Sequence, residues 1–281
     1  MRLGELDLHL VSDGKMRLDG GMMFGVVPRV VWEKRMPPDA QNRVELELNC
    51  LLVCGPWGNA LVDTGLGTNL DANQLEKIWG LTGEGRLLAN LAALGLTPSD
   101  IDLVVNTHLH VDHAGGNTIR RGERLVPAFP RARYVVQRRE WEDAMHVTER
   151  TRASYIPQHL APVAEAGQLE LIDGEKQVAP HLRCIPTPGH TRGHQSVLIG
   201  RGERKALHLG DVAPFAVHFE RLAWIPAMDM LPLETLESKR SLLDEVIKQD
   251  YLLIFYHENS HVAARLIQDG GGYRVLPVPF Q

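Results

Sequence analysis

The sequence predicts an α+β fold in which two β-sheets pack together with helices on the outside. Three observations carry that reading. Short apolar runs bounded by turn residues recur along the whole chain, and helical periodicity is confined to a few separated segments. The strands also fail to alternate regularly with helices, as a purely parallel βαβ array would require. With 44% hydrophobic and 23% charged residues in 281, the composition is that of an ordinary globular protein. No repeat, low-complexity tract or Pro/Gly-rich linker divides the chain, so residues 1–281 read as a single domain.

The elements follow in order. Glu5 to Val11 alternates polar and apolar residues, with Leu6, Leu8 and Leu10 on one side, which predicts a half-buried strand. Leu46 to Val53 and Asn59 to Val62 are two further strands, joined by a hairpin signal at Gly55-Pro56-Trp57-Gly58. Gly85 to Leu94 has helical spacing and stops at Gly95, and Ile101 to Asn106 reads as a buried strand. Beyond it, strands are predicted near Tyr134 to Val136, Leu169 to Ile172, Leu182 to Ile185, Ser196 to Ile199 and Lys205 to Leu209. Helices are predicted over Arg138 to His146 and Leu233 to Lys248, and a last pair of strands over Tyr251 to Phe255 and Tyr273 to Leu276.

Charge and composition exclude several classes. A net charge of −5 without a basic cluster argues against a nucleic-acid groove. No run approaches the ~18 apolar residues of a membrane span, and Met1 to Asp7 meets charge too early for a secretory signal. Cys50, Cys54 and Cys184 form no disulfide framework and read as small buried hydrophobes, with a metal clip between Cys50 and Cys54 as the alternative. The expected setting is cytoplasmic.

The chemistry is concentrated in Thr107-His108-Leu109-His110-Val111-Asp112-His113, which directly follows a buried strand. Residues two apart at a strand end project to the same side, so His108 and His110 can grip one ion. The chain then turns through Asp112-His113, which can face a second ion. Imidazole and carboxylate suit zinc or similar borderline divalent ions. A lone histidine here would read as a hydrogen-bonded loop residue; four ligand-type residues in six positions do not. Pro188-Gly189-His190 offers His190 as the third ligand of the first ion, while His194 reads as a residue that orients its neighbours. Leu209-Gly210-Asp211 places Asp211 at a strand end, where its carboxylate can bridge both cations; His208 is a strand residue without a role. His257, just past the apolar run Leu252 to Phe255, completes the second ion's set with Asp112 and His113. Asp112 and Asp211 are also the candidate catalytic carboxylates. Two divalent ions are expected, zinc by default, although Fe, Mn, Co and Ni satisfy similar ligand sets.

These motifs, in this order and spread over most of the chain, resemble those of the metallo-β-lactamase fold superfamily. The resemblance implies an αββα four-layer sandwich with the site at one edge of the two sheets. Val62-Asp63-Thr64-Gly65 matches a further family element whose Asp supports the metal-binding loop. His110 stands where di-iron redox members carry Glu, and no Cys takes the place of Asp211 as in one zinc class of true β-lactamases. Gly20 to Pro28, Trp32, Gly189-His190-Thr191 and Gly193-His194-Gln195-Ser196 are most similar to the quorum-quenching N-acyl-homoserine lactonases and their organophosphate-hydrolysing relatives. That resemblance implies a small-molecule hydrolase whose metal-bridging hydroxide opens a lactone or carboxyl ester, with N-acyl-homoserine lactone favoured. Phosphotriester hydrolysis is the alternative, and a nuclease or a non-catalytic module are further readings. Several such lactonases carry a carbonyl-polarising Tyr shortly after the bridging Asp; here Val212-Ala213-Pro214-Phe215 follow. No Gly-x-Ser-x-Gly elbow offers a serine nucleophile instead.

Met22, Met23, Phe24, Trp32 and Phe215 are the candidate substrate-pocket residues. Met22 to Trp32 reads either as core or dimer-interface packing, which leaves a homodimer open, or as a pocket for an acyl chain. The segment Met145 to Tyr155, with Arg150 and Arg152, reads either as a cap over the cleft or as a solvated helix–loop face.

Overall fold

Asp13 and Gly14 interrupt the pairing of the first long strand, and the interruption explains how that strand serves two cores. A computed structural model describes residues 1–71, 80, 85–202 and 204–280. The chain runs β1 (Arg2–Leu3), β2 (Leu6–Asp19), α1 (Gly20–Phe24), α2 (Arg29–Trp32), β3 (Arg43–Gly55), β4 (Gly58–Val62), α3 (Leu87–Ala93) and β5 (Leu103–Val105). It continues with α4 (Val111–Ala114), β6 (Thr118–Arg121), β7 (Arg124–Pro127), β8 (Arg133–Gln137), α5 (Arg138–Met145), α6 (Pro157–Glu165) and β9 (Leu169–Ile172). Last come β10 (Lys176–Ala179), β11 (Leu182–Pro186), β12 (Gln195–Arg201), β13 (Arg204–His208), α7 (Ala216–Glu220), α8 (Pro232–Lys248), β14 (Leu252–Ile254), β15 (Ala263–Asp269) and β16 (Gly272–Pro277).

Among the described residues two seven-stranded sheets result, in the orders β1-β2-β3-β4-β5-β8-β9 and β10-β11-β12-β13-β14-β15-β16, and β6-β7 forms a small hairpin. Leu6, Leu8, Leu51, Val62 and Val105 of the first sheet meet Leu182, Val197, Ile199, Ala206 and Ile254 of the second in a buried inter-sheet core. α3 covers the outer face of the first sheet through Leu87 and Leu91. α8 covers the outer face of the second through Leu242, Leu243 and Val246. The layers are therefore α, β, β, α, as expected. Among the described residues no helix is long and apolar enough to cross a membrane.

The strand predicted to end at Val11 continues to Asp19. Its register against β3 shifts between Ser12 and Lys15, where an extra residue forms a bulge. A one-residue insertion moves the even-numbered side chains to the other face. Leu6 and Leu8 accordingly join the inter-sheet core, while Met16 and Leu18 join the outer one. Asp13, buried at the bulge, accepts hydrogen bonds from the backbone N–H groups of Gly67 (2.9 Å) and Leu87 (2.8 Å) and so pins the loop after β4. Two expected strands near the C-terminus, now β14 and β16, do not neighbour each other, because β15 lies between them. Cys50 and Cys184 are buried and all three cysteines are free thiols.

Candidate metal centre

Four strands end at one edge of the sandwich, and each end delivers a side chain of the centre. β4 and β5 run parallel in the first sheet, and β13 and β14 run parallel in the second. Their C-terminal ends carry Asp63, the His108–His113 segment, Asp211 and His257 respectively. β12 is antiparallel to β13, so the residues just before it, including His190, arrive at the same edge. Asp112 and His113 lie on the single turn α4, which aims both inward from one short helix. Gly210, at φ 57°, lets the chain turn with its backbone against His194; a Cβ there would sit 2.7 Å from His194 Nε2.

The structure brings all seven predicted side chains together. Their donor atoms form three groups, each within 4.8 Å: His108, His110 and His190; His108, His113 and Asp211; Asp112, His113 and His257. Every one of these residues is buried. Asp211 divides its carboxylate between two sides, with Oδ1 3.4 Å from both His113 Nε2 and His257 Nε2, and Oδ2 3.4 Å from His190 Nε2. Two donors bonded to one tetrahedral zinc at its usual bond lengths lie about 3.3 Å apart, so this spacing suits a shared cation. Among the described residues, His108 Nε2, His113 Nε2 and Asp211 Oδ1 are buried without a hydrogen-bond partner. Orphaned acceptors at this density are costly unless something cationic satisfies them. The residues fit divalent ions.

Neighbouring groups fix which imidazole nitrogen faces inward. His113 Nδ1 lies 2.9 Å from Asp63 Oδ2, which leaves Nε2 as the free lone pair. Asp63 also accepts from the Thr107 backbone N–H (2.7 Å) and hydroxyl (2.8 Å), holding the start of the His-rich loop. His190 donates through Nδ1 to Asp229 (2.8 Å), itself hydrogen-bonded by Thr235 (2.6 Å), and His257 donates through Nδ1 to the Glu47 carbonyl (2.9 Å). Such partners orient a ligating histidine and make it a better donor. Among the described residues His194 joins no ligand group; its Nε2 accepts from the Asp211 backbone N–H (2.9 Å), and its Nδ1 donates to Thr187. Tyr256 stacks on His113 at 4.0 Å and donates to the Asp112 carbonyl (2.7 Å).

The chain matches the metallo-beta-lactamase superfamily profile over residues 45–257, which covers every side chain of this centre. The chain belongs to that superfamily. It is 30% identical to the N-acyl homoserine lactonase AiiA of Bacillus thuringiensis subsp. kurstaki over 228 residues, covering 76% of this chain and 82% of the relative. Among solved structures it is similar to a probable metal-dependent hydrolase from Staphylococcus aureus, with a TM-score of 0.91 and 30% identity over the whole of both chains. It is also similar to an N-acyl homoserine lactone hydrolase with N-hexanoyl-L-homoserine bound at the catalytic metal centre. That likeness has a TM-score of 0.70 and 26% identity, and covers 92% of this chain and 94% of the other. This superfamily member is thus a metal-dependent hydrolase.

The electrostatics of the superfamily site divide its histidines. Burial holds His108 and His110 well below the usual imidazole range, helped by the neighbouring imidazoles, so both present neutral lone pairs. Burial also acts to lower His113 and His190. There Asp211, with Asp112 and Asp63 for His113 and Asp229 for His190, outweighs it and raises both. Asp211 is held well below the usual carboxylate range: burial opposes this, but His113, His257 and His190 prevail. Burial brings His194 down to about 3, consistent with a neutral ring that accepts at Nε2.

The candidate pocket residues divide in the same way. Met23, Phe24, Trp32 and Phe215 are buried, and Phe24 stacks on Trp32 (4.8 Å) and faces Phe215 (6.5 Å). Phe215 in turn lies 6.5 Å from the His257 ring. Met22, two residues before Phe24 on α1, is 42% exposed. Val212, Ala213 and Phe215 are fully buried, so the stretch after Asp211 is an apolar wall. The two tyrosines beside the site are already engaged, Tyr256 with the Asp112 carbonyl and Tyr155 with Glu140. In the segment read as a cap or a solvated face, Arg150 is exposed and donates to the Ala227 carbonyl (2.9 Å), while the Ser154 carbonyl accepts from the Val111 N–H (2.8 Å) beside His110.

Sequence reasoning missed Glu140, Tyr155, Asp229 and Tyr256. Tyr256 adjoins His257, just past the strand predicted to end at Phe255, and no motif marked it. Asp229, in Met228-Asp229-Met230, sits in no motif and meets His190 only through the fold.

Proposed function

We propose that this hydrolase binds two divalent ions, zinc in the first instance, and opens N-acyl-homoserine lactones. The observation that carries the reading is the divided carboxylate of Asp211, with one oxygen facing His190 and the other facing His113 and His257. His108, His110 and His190 would hold the first ion, Asp112, His113 and His257 the second, and Asp211 both. Such ions supply Lewis acidity and bring the pKa of a bound water from about 15.7 to near 7.

The chain's own groups do the rest. Asp63, Asp229, Glu47 and His194 fix the donors so that little reorganisation accompanies the reaction. Ester opening releases an alkoxide that needs a proton. Asp112 and Asp211, the cluster's carboxylates, are assigned to carry that proton. The apolar Phe24–Trp32–Phe215 stack keeps the His257 side of the centre dry, and the exposed Met22 on α1 is assigned to the acyl chain. The lactonase activity named for the Bacillus relatives supports this substrate class, and the chain's 82% coverage of AiiA supports reading it as a counterpart of the whole enzyme.

Zinc-loaded protein is expected to hydrolyse an N-acyl-homoserine lactone with release of one proton per ring opened. It should do so at least about a hundredfold faster in kcat/KM than an aryl phosphotriester, a difference of about 2.7 kcal/mol in transition-state binding. Replacing Met22 by Ala should shift the preferred acyl length in the same assay. A phosphotriester preference would overturn the lactone assignment, and an unchanged length preference would remove Met22 from the pocket.

A further inference from the structure

We infer that Glu140 is a positioning residue that sets the spacing between the two loops carrying His108, His110 and His190. Glu140 lies on α5 and is fully buried. Its Oε1 accepts from the Leu109 backbone N–H (2.9 Å) and the Tyr155 hydroxyl (2.8 Å), and its Oε2 accepts from the Thr191 hydroxyl (2.6 Å). Leu109 stands between His108 and His110, and Thr191 follows His190. One carboxylate therefore ties together both loops that supply the first ion's ligands.

Two further contacts tighten the arrangement. Gly193 packs directly on α5, and a Cβ there would sit 2.3 Å from the Glu140 backbone nitrogen. Tyr155, held by its bond to Glu140, places its ring 4.8 Å from the His110 ring and so backs that ligand. Across the clasp, His110 Nδ1 and His190 Nε2 approach to 3.0 Å. Three donors from three segments suit a charged carboxylate, which can accept up to about four hydrogen bonds. Burial raises the carboxyl from its ordinary range and the three donors oppose that rise. The other ligand group is held differently, with His113 on Asp63, His257 on the Glu47 carbonyl and the Asp112 carbonyl on Tyr256. The clasp should act on one ion and not on the other.

This inference rests on the two-ion reading, and its test separates the two. Zinc is titrated against a chromophoric chelator that resolves two binding steps, in wild-type protein, Thr191→Val and Thr191→Ser. Thr191→Val keeps the side-chain shape and removes the donor to Glu140; Thr191→Ser keeps the donor. Thr191→Val is expected to weaken one step about 10- to 100-fold, the range for partners behind metal ligands, and to leave the other within about twofold. Thr191→Ser should restore the wild-type pattern. Both steps unchanged in Thr191→Val, or both weakened alike, would overturn the role of Glu140. Wild-type protein that takes up one ion or none refutes the two-ion reading on which the inference stands.

Discussion

Asp211→Asn should lower kcat/KM by about a thousandfold or more, equivalent to about 4 kcal/mol of transition-state stabilisation. The amide keeps the shape but loses the charge and one of the two oxygens now divided between His190 and the His113–His257 pair. His113 and His190 also lose the carboxylate that counters their burial. The backbone N–H of residue 211 would still donate to His194, so the loop should hold its path and the variant should fold. Steady-state kinetics with metal content measured on the same sample checks this. Full turnover with less than one metal per chain would refute the assignment.

Stripping the metal with a chelator should abolish turnover, and zinc should restore it. Without cations, five imidazoles and two carboxylates crowd one buried volume, with several donor atoms unpartnered. Zinc at a thousandfold excess over its Kd adds about 4 kcal/mol to folding stability. For a chain of this size that raises the melting midpoint by about 10 °C. The gain has a definite pH sense. Metal ligands must be deprotonated, and His113 and His190 hold their protons to a higher pH than an ordinary imidazole. The zinc-dependent rise should therefore shrink as pH falls, starting from a higher pH than an ordinary imidazole would set. A midpoint indifferent to zinc at neutral pH would contradict the account.

The cluster of seven candidate donors was legible in the sequence because its chemistry is local. Four ligand-type residues lie within 108–113, and His190, Asp211 and His257 each stand beside an apolar run whose end can be read without knowing the partner strand. Sheet content was legible for the same reason: strands such as β5 and β14 are unbroken apolar runs, and β9 opens with an apolar–polar alternation. The supporting residues were not. Glu140 meets Leu109 and Thr191 across 31 and 51 positions, and Tyr256 meets Asp112 across 144, so only the assembled fold gives them meaning. The length of β2 was hidden because its bulge at Asp13-Gly14 breaks the period on which strand reading depends. α6 was missed as well, since Pro162 lies inside it.

Anomalous diffraction at the zinc edge, from crystals of the zinc-loaded protein, tests the central claim most directly. Two peaks should appear, one among His108, His110 and His190 and the other among Asp112, His113 and His257, with Asp211 between them. A single peak, or zinc bound away from these side chains, would contradict it.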